Sequence, residues 1–161
     1  MMGIDDVALA RALHIIGVVI WIGGVSMATT VALPAVRRGS LGHDPLAAFE
    51  AFERRFVWQA RGAVLIVGLT GVYMVERMDL WRRFADARFW WMHAMAIVWS
   101  LFFLVLFVGE PLILHRYFPI WAQRDPEGAF TTLHRVHVAL LTFAIVTIFG
   151  AMAGSHGWLL F

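Results

Sequence analysis

Residues 7–33 read VALARALHIIGVVIWIGGVSMATTVAL, a run broken by one formal charge, Arg11. About 20 apolar residues, rising ~1.5 Å each, cross a bilayer, so this stretch predicts a transmembrane helix. Three further stretches meet the same criterion, at 56–78, 89–114 and 134–158. The fold class that follows is all-α: an integral membrane four-helix bundle, with residues 1–161 forming a single transmembrane domain. Composition agrees, since 61% of residues are hydrophobic and 15% charged, with mean hydropathy +0.75. A soluble domain of this length carries far more charge.

The charge pattern narrows the function classes. All 13 basic residues are Arg, so no amine is available as a base. The formal charge of +2 and the pI of 9.9 suit anionic lipid headgroups, and no nucleic-acid partner is expected. Cysteine is absent, which excludes disulfides, iron–sulfur clusters and thiolate ligation. The first helix lacks a basic leader and a small-residue cleavage site, so it is expected to be retained and not cleaved as a signal peptide.

Along the chain, Asp5 and Asp6 precede the first span, and Pro34, Arg37 and Arg38 follow it. Residues 35–44 read as a turn. Asp44-Pro45 is a helix-start signal, an N-cap followed by proline at the first helical position. The amphipathic segment after it runs into the second span without a breaker, which predicts one long helix. Residues 76–88 read as a polar loop with a candidate short amphipathic helix. Pro111 is expected to kink or end the third span, and residues 115–133 to form the last loop. Arginine favours the side bearing the loops after spans one and three, eight residues against five. The positive-inside rule then places both termini outside the cytoplasm, and a bacterial-type inner (plasma) membrane is the expected location.

Histidine supplies the functional signal. His14, His93, His137 and His156 lie in or at the ends of the apolar spans. An ionisable side chain there is costly and by default faces the bundle interior as part of a site. Neutral imidazole also ligates iron and copper. At ~1.5 Å per residue His14 lies roughly 10 Å, and His93 roughly 6 Å, below the outer surface. His156 is near the outer end of span four. Toward the inner side, His115, His134 and His137 group near the ends of spans three and four. Helical phase aligns His93 with His115 and His134 with His156 to within ~40°, so one site at each side is conceivable. His43, His115 and His134 read as solvated, and His14 and His93 otherwise as buried imidazoles bonded to nearby carbonyls or hydroxyls.

Other residues compete for roles. Gly17 and Gly24 form a stripe that admits another helix or a flat ligand, and Trp21 shares the His14 stripe. Met74, Met78, Met92 and Met95 are soft ligands suited to Cu(I), or plain core fillers. FWW at 89–91 and Trp81 fit an interfacial belt. Arg61 lies inside the apolar part of span two; it either snorkels to the headgroups or pairs with a carboxylate such as Glu110 or a haem propionate. Arg11 and Arg88 are candidate propionate partners on the outer side.

ALHIIGVVIWIGGVSMATTVALPAV, residues 12–36, resembles the first helix shared by the copper resistance protein D (CopD) group and the HemJ-type protoporphyrinogen oxidases. The shared pattern is His14, Trp21, Gly23, Gly24 and Pro34. WMH at 91–93 resembles the Trp-Leu-His that opens the third helix of HemJ proteins, where a Lys usually follows two residues after the His; here that place holds Met95. The fourth span is similar to CopD-like membrane proteins. The resemblance implies a four-helix membrane protein that binds haem b, or copper, through His14 and His93. HemJ proteins pass electrons from a porphyrinogen to the respiratory chain.

The expectation is therefore a cytochrome b-like protein with haem between the first and third helices. His14 is one axial ligand, His93 the second and His156 its substitute. His137, Trp21 and Arg61 are further candidate cofactor-binding residues. Electron transfer is the expected role, with quinone as a candidate donor or acceptor, or a HemJ-like oxidoreductase activity. The alternative is a CopD-like copper-binding or copper-transport protein using His14 and His93 with Met74, Met92 or Met95. The lipid bilayer is an expected partner; a homo-oligomer is left open.

Overall fold

Each long helix begins on an aspartate. In the computed structural model, which describes residues 5–40, 42 and 44–158, the Asp5 carboxylate accepts from the Val7 and Ala8 amides and caps α1 (Asp6–Arg37). Asp44 does the same for Leu46 and Ala47 at the head of α2 (Pro45–Arg77). Asp86 accepts from the Arg88 amide where α3 (Ala87–Leu114) starts. Asp125 accepts from Gly128 and caps the last long helix. Such caps satisfy amides that have no partner inside a helix. A short helix α4 (Phe118–Arg124) precedes that cap, and α5 (Pro126–Ser155) follows it. Among the described residues there is no strand.

The four long helices are each long and apolar enough to cross a membrane. The sequence-based boundaries shift in two places. The first helix continues past Pro34 to Arg37, through a wide turn at Ala28–Ala32, so the turn between α1 and α2 is shorter than 35–44. Residues 115–133 are not one loop: α4 and the first turns of α5 occupy most of them, because Asp125-Pro126 is a start signal like Asp44-Pro45. Pro111 does not end the helix at its ring, and α3 stops at Leu114, where the predicted third span stops. Residues Val105–Leu114 widen to i→i+5 bonding. The predicted polar loop after α2 holds two single-turn segments, Trp81–Ala85 and Ala87–Phe89. His43, read as a loop residue, lies outside the described residues.

α1 packs chiefly on α2, and the first half of α3 packs chiefly on α5. Glycines permit these approaches. Gly17 meets Val67 and Ala63, and Gly24 meets Phe56, so the glycine stripe of α1 is a helix-packing seam. Gly68 lies under the Trp99 ring, and Gly150 and Gly154 receive Trp90 and Trp91. Trp91 is therefore buried, while Trp81 stays exposed. The middle core comprises Trp21, Val25, Val64, Phe102, Leu106 and Leu140. A second cluster, Leu33, Val36, Phe49, Phe118 and Phe130, closes the end away from the termini. Outward-facing Val19, Leu69, Ile97 and Phe149 are 61–72% exposed. An apolar surface on every long helix is unfavourable in water and is what hydrocarbon solvates.

Candidate functional site

His14 projects from α1 toward α2. Its Nδ1 lies 3.0 Å from the Val67 carbonyl oxygen and 3.1 Å from Thr70 Oγ1. A carbonyl only accepts, and the Thr70 hydroxyl donates to Ile66 O at 2.6 Å. Nδ1 therefore carries the proton, and the Nε2 lone pair is left unbonded among the described residues. Gly71 brings the α2 backbone against the edge of the ring. An imidazole oriented by one N–H on a carbonyl, with the other nitrogen free, is the usual arrangement of a metal-ligating histidine.

His93 follows the same logic with the opposite nitrogen. Its Nε2 donates to Phe84 O at 2.9 Å, and its ring packs edge-on against Phe84. His14 and His93 start eight and six residues from the same end of their helices, about 12 and 9 Å at ~1.5 Å per residue. Their hydrogen bonds run to different neighbours, α2 for His14 and the Trp81–Ala85 segment for His93. His156 caps the end of α5, exposed, with Nδ1 donating to Met152 O at 2.8 Å. Among the described residues, these three histidines do not form a cluster of ligand atoms. Met92 is buried, whereas Met95 is 37% exposed and faces outward. Arg88 is paired with Asp86 at 2.6 Å, and Arg11 is exposed.

The opposite end of the bundle holds a more polar interior. Arg61 does not snorkel; its NH2 donates to Glu110 Oε2 at 2.6 Å, with the two side chains 20% and 8% exposed. Arg61 Nε and NH2 also donate to Leu106 O at 3.1 and 3.0 Å. In a wide turn with i→i+5 bonds, Leu106 O faces the nitrogen of Pro111, which has no proton. The guanidinium supplies the missing donor, as a buried backbone carbonyl requires. Trp58 and Phe107 flank the cation at 5.2 and 5.6 Å.

Beside this pair lies a cavity of about 470 Å³, lined mainly by apolar groups including Trp21, Phe56 and Leu106, with Glu53, Glu110 and His137 among the polar ones. Trp21 packs edge-on against Phe102 at 4.9 Å, joining α1 to α3 across the bundle. Its buried indole nitrogen has no hydrogen-bond partner. His137 donates Nδ1–H to Leu133 O at 3.0 Å, within its own helix. His134 bonds to Arg37 at 3.1 Å instead of joining His137. Glu53, which the amphipathic pattern of α2 marks as one more solvated charge, is buried, and its Oε1 is unpartnered. His115 Nδ1 lies 3.0 Å from Glu110 Oε1. One ligand atom from each of Glu53, Glu110 and His115 falls within 4.8 Å of the others.

No protein family matches the chain, and no curated protein or solved structure is similar to it at a meaningful level.

Proposed function

We propose that the chain is a multi-pass protein of a bacterial-type inner (plasma) membrane that holds haem b through His14 and transfers electrons. The observation that carries this is the His14 imidazole, fixed by Val67 O and Thr70 with Nε2 free at the half-buried face of α1. A histidine so oriented suits axial ligation of haem iron. His93 is the proposed second ligand, since it lies at similar depth from the same end; its Nε2 would exchange Phe84 O for iron, and His156 is its substitute. The resemblance of residues 12–36 to CopD and HemJ helices supports the same pair. The haem would supply one-electron chemistry; the chain supplies ligation and a low-dielectric surround. Both termini are proposed to lie outside the cytoplasm, and quinone is the proposed lipophilic redox partner. The apolar cavity beside Trp21, with its unpartnered indole N–H, offers space for such a molecule.

Copper is the second reading, favoured by Met92, which is buried next to His93 in sequence. Haem extraction and metal analysis on protein purified from haem-replete membranes separate the two. Iron with extractable haem b supports the first; copper without iron supports the second. Absence of both metals rejects them together.

A further inference from the structure

We propose that Glu53, Glu110 and His115 form a separate site for a divalent first-row cation (Zn²⁺, Mn²⁺ or Fe²⁺), at the end of the bundle away from the termini. Two carboxylates and one imidazole are hard-to-borderline donors that suit these ions, with no thiolate or thioether among them. The ligand atoms already lie within 4.8 Å of one another. Modest side-chain closure would bring them onto a cation with bonds of about 2.0–2.2 Å.

The local backbone explains the grouping. Glu110 and His115 are five residues apart, which on a regular α-helix would set them ~140° apart. In the wide turn, the His115 amide donates to Glu110 O at 3.1 Å, an i→i−5 bond that stacks the two side chains. Wide turns of this kind recur at functional sites. α2 contributes Glu53, which lines the same depression as Phe49, His115 and Phe118.

Glu53 supplies an independent pointer to a ligand. Its residue is 7% exposed, and its Oε1 has no partner. An unpaired buried carboxylate oxygen is costly to keep, and a cation between it and Glu110 removes that cost. Arg61 occupies Glu110 Oε2 and leaves Oε1 facing His115. A depression of about 400 Å³, lined by Glu50, Glu53, Arg54 and His115, gives access from solvent. Three protein ligands leave at least one coordination position open to it, as in catalytic zinc sites.

The test is calorimetric titration of Zn²⁺, then Mn²⁺ and Fe²⁺ under argon, into the metal-stripped full-length protein in detergent, purified without a histidine tag. One equivalent should bind. Glu53→Gln and His115→Ala should each weaken binding more than about 100-fold, exceeding the 10–100-fold typical of residues that only orient a ligand. His134→Ala and His14→Ala should leave binding unchanged, and the haem spectrum of Glu53→Gln should match that of the parent. These controls separate failure here from failure of the haem proposal. If Glu53→Gln does not fold, His115→Ala, at an exposed ring, decides alone. No stoichiometric binding of any of the three ions, or undiminished binding in His115→Ala, overturns the site. A protonated-carboxyl infrared band lost in Glu53→Gln would then identify a shared proton in place of the metal.

Discussion

Arg61→Met should be among the most damaging single substitutions in the chain. The residue neutralises Glu110, which is 8% exposed, and satisfies the Leu106 carbonyl that Pro111 leaves without a donor. Removing one partner of a buried ion pair typically costs about 3–5 kcal/mol. An orphaned buried acceptor costs about 1–3 kcal/mol more. The two losses share one side chain, so about 4–6 kcal/mol is expected. The second substitution Glu110→Gln should recover much of the ionic part, because it removes the stranded charge. Pro111→Ala in the Arg61→Met background should recover part of the remainder, since it restores an amide for Leu106 O. Reversible unfolding in mixed micelles, followed by circular dichroism, measures each variant. A loss below about 1 kcal/mol for Arg61→Met, the scale of an exposed pair, would refute the reasoning, as would a lack of coupling between Arg61 and Glu110.

Further outcomes follow from the packing and the loops. Gly24→Val should destabilise by about 1–3 kcal/mol, because a side chain there runs into Phe56; Gly23→Ala, with nothing near its Cβ, should be close to neutral in the same unfolding assay. The Asp86 carboxyl is held below its usual range by hydrogen bonds from Arg88. Its folded pKa is depressed, so its contribution is full above the unfolded value of about 3.9 and is lost as pH falls through the folded value. Acid-stable protease should therefore cut the segment around Trp81–Ala85 faster only below about pH 4, and Asp86→Asn should remove that pH dependence. His137→Ala should leave the haem content unchanged unless a second haem occupies the opposite end, when about half would disappear by the two-depth argument; pyridine haemochrome quantitation decides.

The four spans were legible because each carries a long apolar run, and the α2 start because Asp44-Pro45 combines a cap with a preset φ. Asp125-Pro126 repeats that signal, yet the polar residues around it read as loop. The backbone makes those turns helical, and the packing of Phe118 and Phe130 with Phe49 covers them. The choice for Arg61 lay open in the sequence because both snorkelling and pairing fit its depth. The widened turn around Pro111 decides it, and no residue pattern announces i→i+5 bonding. Glu53 was hidden for a related reason. It sits among Glu50, Arg54 and Arg55 in an amphipathic segment, where nothing in the pattern marks the neighbouring packing of Phe49 on Phe118. His14 was found from depth alone, but its partner carbonyl, Val67 O, is set by where Gly17 and Gly71 let α1 and α2 meet.

The most direct test is the reduced-minus-oxidised absorption spectrum of the purified protein and of its His14→Ala, His93→Ala, His156→Ala and His43→Ala variants, with membrane insertion checked for each. A low-spin b-type spectrum is predicted for the parent and for His43→Ala. His14→Ala and His93→Ala should each become high-spin or lose haem while still inserting, since one strong-field ligand is gone. A full low-spin spectrum in His93→Ala with loss in His156→Ala would move the second ligand to α5. A colourless parent protein from haem-replete cells, with no haem on extraction, would contradict haem binding altogether.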